Sequence, residues 1–177
     1  MVKLQDYIKV IPNILDKQIC KRIVNNKEYE WEKGLVDDAE INHQIRKWSV
    51  AGISADDWYD VNMAVAETLK EFQRLLPAPS FTFTEEWGDP RLLKYEKGEY
   101  ITQHIDDQCT YAGQGIRRVS MSFLLNEDYE GGEMQFGDYK VNGPTGSAII
   151  FPSNFCFPHE VLPIKSGTRY SILTWMQ

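Results

Sequence analysis

Tyr95-Glu96-Lys97-Gly98-Glu99-Tyr100-Ile101-Thr102-Gln103-His104-Ile105-Asp106 is the stretch on which the reading of this chain turns. Two short apolar or alternating runs, 91–95 and 100–106, flank the turn residues Glu96-Lys97-Gly98, so the stretch reads as two strands. Residues two apart on an extended strand share a face. His104 and Asp106 therefore aim an imidazole and a carboxylate at one point, while Asp107 faces the other way.

The texture of the stretch continues outward in both directions from residue 80 on. Runs at 81–83, 118–125, 133–136, 139–141, 147–151, 157–162 and 169–175 alternate with turn residues such as Asn126-Glu127-Asp128, Gly131-Gly132, Asn142-Gly143-Pro144 and Lys165-Ser166-Gly167. Many short strands at close spacing imply a sandwich or a barrel. The first 80 residues are different. Residues 7–11 read as one strand, and Leu15, Ile19, Cys20, Ile23 and Val24 recur at helical spacing. Residues 27–47 are polar and hold Tyr29, Trp31 and His43; 48–53 read as another strand. Ser54 with Asp57 predicts a capping box, opening a helix whose stripe is Trp58, Val61, Val65, Leu69, Phe72 and Leu76. Pro77 and Pro79 end it. A helix packed on a sheet accounts for that stripe. The expected organisation is one domain over 1–177, with 1–80 as helical support and 81–177 as the β core.

Composition narrows the function. Apolar residues at 42% and charged residues at 25% are ordinary for a globular protein. A net charge of -7, from 26 acidic and 19 basic residues, argues against general binding to nucleic acid or to an anionic membrane. No apolar run reaches the roughly 20 residues that span a bilayer, and no signal-peptide core is evident. Cys20, Cys109 and Cys156 are too few and too scattered for a disulfide framework, which suggests a reducing, cytoplasmic compartment.

The chemistry lies in a small set of residues. The chain has three histidines, and His159, in Phe-Cys-Phe-Pro-His-Glu-Val, is the second in a β-rich segment. Two imidazoles and one carboxylate on one face of a metal suit a mononuclear Fe(II) centre with open positions. Arg169 follows ten residues after His159 and opens an otherwise apolar run. A guanidinium there would bind a carboxylate bidentately and keep its charge when desolvated. Tyr95, on the strand before His104, could add one hydrogen bond. Lys165 is a second cation, in a turn that favours solvation. Arg117 and Arg118, at the start of the central run, suit structural pairs, and His43 suits an exposed loop. A competing metal reading joins His104, Cys109, Cys156 and His159 in a zinc site, although the His-x4-Cys and Cys-x2-His spacings are unusual for one. That reading leaves Asp106 and Arg169 without a role. A catalytically silent jelly roll used for binding or sensing is the other alternative. The segment 107–116, with Gly113, Gly115 and Tyr111, leaves the metal strand directly and suits a lid over the site.

Taken together, the motifs resemble those of the Fe(II)- and 2-oxoglutarate-dependent dioxygenases, most closely their prolyl 4-hydroxylase-like branch. The matching stretches are Leu-Leu-Lys-Tyr95 through His104-Ile-Asp106, Arg118-Val-Ser-Met-Ser-Phe-Leu-Leu-Asn126, Tyr129-Glu-Gly-Gly-Glu-Met-Gln-Phe136, Gly146-Ser-Ala-Ile-Ile-Phe-Pro152, and Pro158-His159 through Gly167-Thr-Arg169-Tyr-Ser171. The resemblance implies a double-stranded β-helix (jelly-roll) core, mainly β in an α+β setting. It implies His104, Asp106 and His159 as iron ligands, with Arg169 and Tyr95 on the distal carboxylate of 2-oxoglutarate and Ser171 and Trp175 completing that pocket. Some relatives support that carboxylate with a tyrosine where this chain has Leu124. The implied reaction consumes O2 and 2-oxoglutarate, releases succinate and CO2, and hydroxylates an unactivated C–H bond, with ascorbate as an auxiliary reductant. Because Asp106 is intact, hydroxylation is favoured over halogenation. The implied substrate is a prolyl residue of a peptide or protein, although the same scaffold also serves small molecules.

Overall fold

A strand buried on both faces organises the structure. In the computed structural model, which describes residues 2–34, 46–77, 86–107 and 116–177, all six residues of Val119–Leu124 are buried. In chain order the strands begin with β1 (Lys9–Ile11), β2 (Glu32–Lys33), β3 (Arg46–Lys47), β4 (Ser49–Gly52), β5 (Arg91–Tyr95) and β6 (Tyr100–His104). Val119–Leu124 is β7, followed by β8 (Glu130–Gly131), β9 (Met134–Phe136), β10 (Tyr139–Val141) and β11 (Ala148–Pro152). The last three are β12 (His159–Val161), β13 (Ile164–Ser166) and β14 (Arg169–Met176). One sheet has the order β1-β11-β7-β14-β5-β4-β2, a second β10-β9-β12-β6-β3, and β13 pairs with β8. The β7, β11, β14 and β5 pairings at its centre are antiparallel.

Alternation along β7 assigns its two faces different work. Val119, Met121 and Phe123 join the core beneath the helices α1 (Lys17–Asn25) and α2 (Ala55–Leu75), with Ile23, Val61, Val65, Leu69 and Phe72. Ser120, Ser122 and Leu124 face the second sheet. Between the sheets, Leu93 and Tyr95 of the first meet Ile101 and Val161 of the second, and Leu124, Ile149 and Phe151 meet Met134 and Val141. This is the expected double-stranded β-helix, or jelly roll.

The expected helices are present, with two differences in detail. Asp16 caps α1 by accepting from the Gln18 amide at 2.7 Å. At α2 the predicted capping box does not form. The Ser54 hydroxyl donates to Asp57 at 2.7 Å, and the Asp57 carboxylate is drawn instead to Arg22 at 2.6 Å and to the Tyr29 hydroxyl at 3.1 Å. A buried carboxylate favours a guanidinium over a neutral backbone amide, because the charge must be offset. Trp58, in the first turn of α2, is 42% exposed; the buried face runs through Val61, Ala64, Val65, Thr68, Leu69 and Phe72. Phe72→Ala should cost about 3–5 kcal/mol, the usual penalty for emptying a buried aromatic site. A urea unfolding midpoint checks this.

The first 80 residues supply strands as well as helices. β1 edges β11, β4 and β2 extend the first sheet beyond β5, and β3 pairs with β6. β8 and β13 were not expected, since Glu130–Gly131 carries no alternation to read. The run at 81–83 and His43 lie outside the described residues. The turn between β5 and β6 carries the chain from one sheet to the other. Gly98 takes a positive φ of 79°, and buried Glu99 accepts from the Glu96 amide at 2.8 Å.

Candidate metal and 2-oxo-acid site

β12 pairs with β6 so that His159 stands directly opposite His104, with the ring centroids 4.4 Å apart. Cross-strand register therefore joins two histidines 55 positions apart. Asp106 lies two residues past the end of β6, not on it, yet its carboxylate reaches the same point. Oδ1 lies 3.4 Å from His104 Nε2 and Oδ2 lies 3.6 Å from His159 Nε2. One ligand atom from each of the three residues falls within 4.8 Å of the others. His159 and Asp106 are buried and His104 is half-buried.

Each ring is held from behind. His104 Nδ1 donates to the Thr102 carbonyl at 2.9 Å, and His159 Nδ1 to the Phe157 carbonyl at 3.1 Å. A carbonyl only accepts, so Nδ1 carries a proton and each Nε2 faces the shared centre, as a donor to Asp106 when the ring is protonated and as a lone pair for a metal when it is neutral. Phe136 stacks on His159 at 5.4 Å and Phe151 meets its ring at 4.7 Å.

Protonation states suit ligation. Burial by itself pushes the Asp106 carboxyl up, but the His104 hydrogen bond, the two imidazoles and the Ser120 hydroxyl outweigh it and hold it well below the usual carboxylate range. Burial pushes His159 below the ordinary histidine value, against the pull of Asp106. The set thus offers an anionic carboxylate and a neutral imidazole, the forms that bind a metal. Both shifts make the metal-free protein acid-labile. As pH falls below about 6.5 the unfolded state protonates His159 more readily than the folded state does, and stability falls. The Asp106 contribution, present above about pH 4, is lost at still lower pH by the same logic. His159→Gln should flatten the dependence of the urea midpoint between pH 7 and 5.

Arg169 opens β14 opposite Tyr95 of β5, and its guanidinium lies 5.3 Å from the Tyr95 ring centre. The side chain is 1% exposed. Nη1 donates to the Ser171 hydroxyl at 2.8 Å, while Nε has no hydrogen-bond partner among the described residues. No described carboxylate forms an ion pair with it. Gly132, at a positive φ of 68°, lets the chain pass against the Arg169 stem, where an added Cβ would stand 3.0 Å from Cδ. A buried guanidinium without a carboxylate is costly unless a ligand supplies the anion. Leu124, opposite Ser171, presents no polar group there. Farther along the same face Trp175 has a buried Nε1 without a hydrogen-bond partner among the described residues, and Arg117 stacks on its ring at 3.7 Å. The donor set fits a metal, and the buried guanidinium, with no described carboxylate beside it, fits a dicarboxylate cosubstrate.

Two residues of the site escaped the sequence reading. Ser120 donates to Asp106 Oδ2 at 2.7 Å and bonds Ser153 at 2.8 Å. The available signal was a serine within a strand otherwise built to be buried. Of the cysteines proposed for a zinc site, Cys156 is exposed and Cys109 lies outside the described residues. Tyr111 and residues 108–115 of the suggested lid also lie outside them. Lys165 is exposed on β13. A groove of about 620 Å³ reaches Asp107, the residue after the candidate ligand Asp106. Tyr7, Phe72, Leu76, Arg117, Arg118 and Phe157 are among the residues that line it, while none of the three candidate ligands does.

Comparison with known proteins adds a family. The model of the 2OG-Fe(II) oxygenase superfamily matches residues 90–177, which include Tyr95, His104, Asp106, His159 and Arg169. A "PKHD-type hydroxylase" of Hyphomonas neptunium is 26% identical over 177 residues, covering 95% of this chain and 77% of that relative. One from Shewanella baltica is 30% identical over 129 residues, covering 67% of this chain and 57% of that relative. The chain thus spans between about half and three quarters of the length of the curated relatives it matches. A Pseudomonas putida prolyl-4-hydroxylase superposes with a TM-score of 0.71 at 20% identity, covering 97% of this chain and 92% of that one. A Trichoplax adhaerens prolyl hydroxylase, solved with a hypoxia inducible factor peptide fragment, also gives 0.71, at 17% identity and coverages of 97% and 83%. These structures share the fold.

Proposed function

The chain belongs to the 2OG-Fe(II) oxygenase superfamily, and from that premise we propose that it hydroxylates a prolyl residue of a peptide or protein. The observation that carries this reading is the pairing of the three-residue cluster with a buried, anion-seeking Arg169 in one jelly roll. His104, Asp106 and His159 would hold the metal through two neutral imidazoles and one carboxylate. Arg169, steadied by Ser171 and flanked by Tyr95, would hold the distal carboxylate of 2-oxoglutarate. When bound, Fe(II) lets O2 oxidise 2-oxoglutarate to succinate and CO2 and deliver one oxygen atom to a C–H bond; ascorbate would serve to keep the metal reduced. The chain's own part is positional: it orients the cosubstrate along β14, and the apolar walls Phe136 and Phe151 keep water from His159.

The prolyl target is supported by the names of the two solved structures and by the peptide fragment held in the Trichoplax one. The groove beside Asp107 would take the peptide on one side of the reacting residue. The test is incubation of purified protein with Fe(II), 2-oxoglutarate, O2 and a peptide panel, followed by mass spectrometry. A proline-containing peptide heavier by one oxygen atom, formed with an equal amount of succinate, is expected. Products confined to other side chains or free metabolites would move the substrate assignment. Absence of succinate would leave the silent jelly roll.

A further inference from the structure

We propose that Ser120, held in turn by Ser153, is a positioning residue that fixes the Asp106 carboxylate for ligation through one oxygen only. The inference rests on the metal-site reading above. Ser120 and Ser153 are 0% and 1% exposed, so neither hydroxyl can turn to bulk water. Ser120 has one proton, and Asp106 Oδ2 takes it at 2.7 Å, because a carboxylate only accepts. The 2.8 Å contact between the serines must then run from Ser153 to Ser120. The result is a directed chain, Ser153 to Ser120 to Asp106, whose last link is charge-assisted.

The strands make this chain rigid. Ser120 is on β7, between β11 and β14, paired to Phe151 on one side and Trp175 on the other. Ser153 follows β11, and its amide continues the ladder by donating to the Arg118 carbonyl at 3.0 Å. Asp106 has no such frame, since it lies beyond the end of β6. The hydroxyl supplies the orientation that the strand does not.

The consequence concerns the count of open positions. Three ligands, each binding through one atom, would leave room on a bound metal for a bidentate oxo acid and O2. A carboxylate binding through both oxygens would occupy part of that room. With one lone pair of Oδ2 taken by Ser120, Oδ1 would be the oxygen favoured for the metal.

The test uses the metal-free full chain and Mn(II) titration followed by electron paramagnetic resonance. Ser120→Ala should weaken Mn(II) binding by roughly 10- to 100-fold, the usual effect of losing an outer hydrogen-bond partner of a ligand. Ser153→Ala should weaken it less, and the double variant should match Ser120→Ala. In the anaerobic Fe(II) form, Ser120→Ala should also lose visible charge-transfer absorption with 2-oxoglutarate, a readout that a purely structural role would not move. Unchanged affinity and absorption in Ser120→Ala would overturn the proposal. Should that variant not fold, unchanged affinity in Ser153→Ala would overturn it. His104→Ala is the control: if it too keeps its affinity, the metal-site reading itself has failed.

Discussion

Replacing His104 or His159 by alanine should abolish tight Fe(II) binding, a loss larger than the roughly 10- to 100-fold typical of an outer-sphere partner. The two rings stand opposite one another across β6 and β12, and each Nε2 lies within 3.6 Å of Asp106. No described cysteine or further carboxylate joins the cluster to replace a lost ligand. Asp106→Ala should lose the metal as well, because it removes the only anion from the set. Cys109→Ser and Cys156→Ser should leave binding nearly intact. A metal lost from the cysteine variants but kept by Asp106→Ala would favour the zinc site.

Arg169→Ala should raise the Michaelis constant for 2-oxoglutarate roughly 30- to several-thousand-fold, corresponding to the about 2–5 kcal/mol typical of truncating one partner of a buried charge pair. Metal affinity measured without 2-oxoglutarate should change little. The reason lies in what the guanidinium lacks. It bonds Ser171 and lies beside Tyr95, but no described carboxylate pairs with it. If Arg169 served only the fold, removing its charge would destabilise the protein. If it waits for an anion, Arg169→Met should leave the metal-free protein at least as stable, since a desolvated charge disappears. An unchanged Michaelis constant would turn attention to Lys165.

What the sequence made legible was the part governed by periodicity and by scarce residue types. Alternation and turn residues placed most strands after residue 90 within two residues of their observed ends. Few histidines made His104 and His159 stand out, and an arginine opening an apolar run marked Arg169. Less legible was whatever depended on contacts across the fold. Spacing put Asp106 on the same strand face as His104, whereas it reaches the site from beyond the strand. The capping box at Ser54 gave way to a network with Arg22, 35 positions from Asp57, which no local pattern encodes. Ser120 and Ser153 are ordinary residues in sequence, and only the adjacency of β7 and β11 brings them to Asp106.

Succinate release from 2-oxoglutarate in air, with Fe(II) and a prolyl peptide present, tests the proposed reaction. Wild-type protein should form succinate and hydroxylated peptide in equal amounts, with Asp106→Ala and Arg169→Ala reduced toward the metal-free background. Wild-type protein that binds Fe(II) but forms no succinate above that background with any peptide would contradict it.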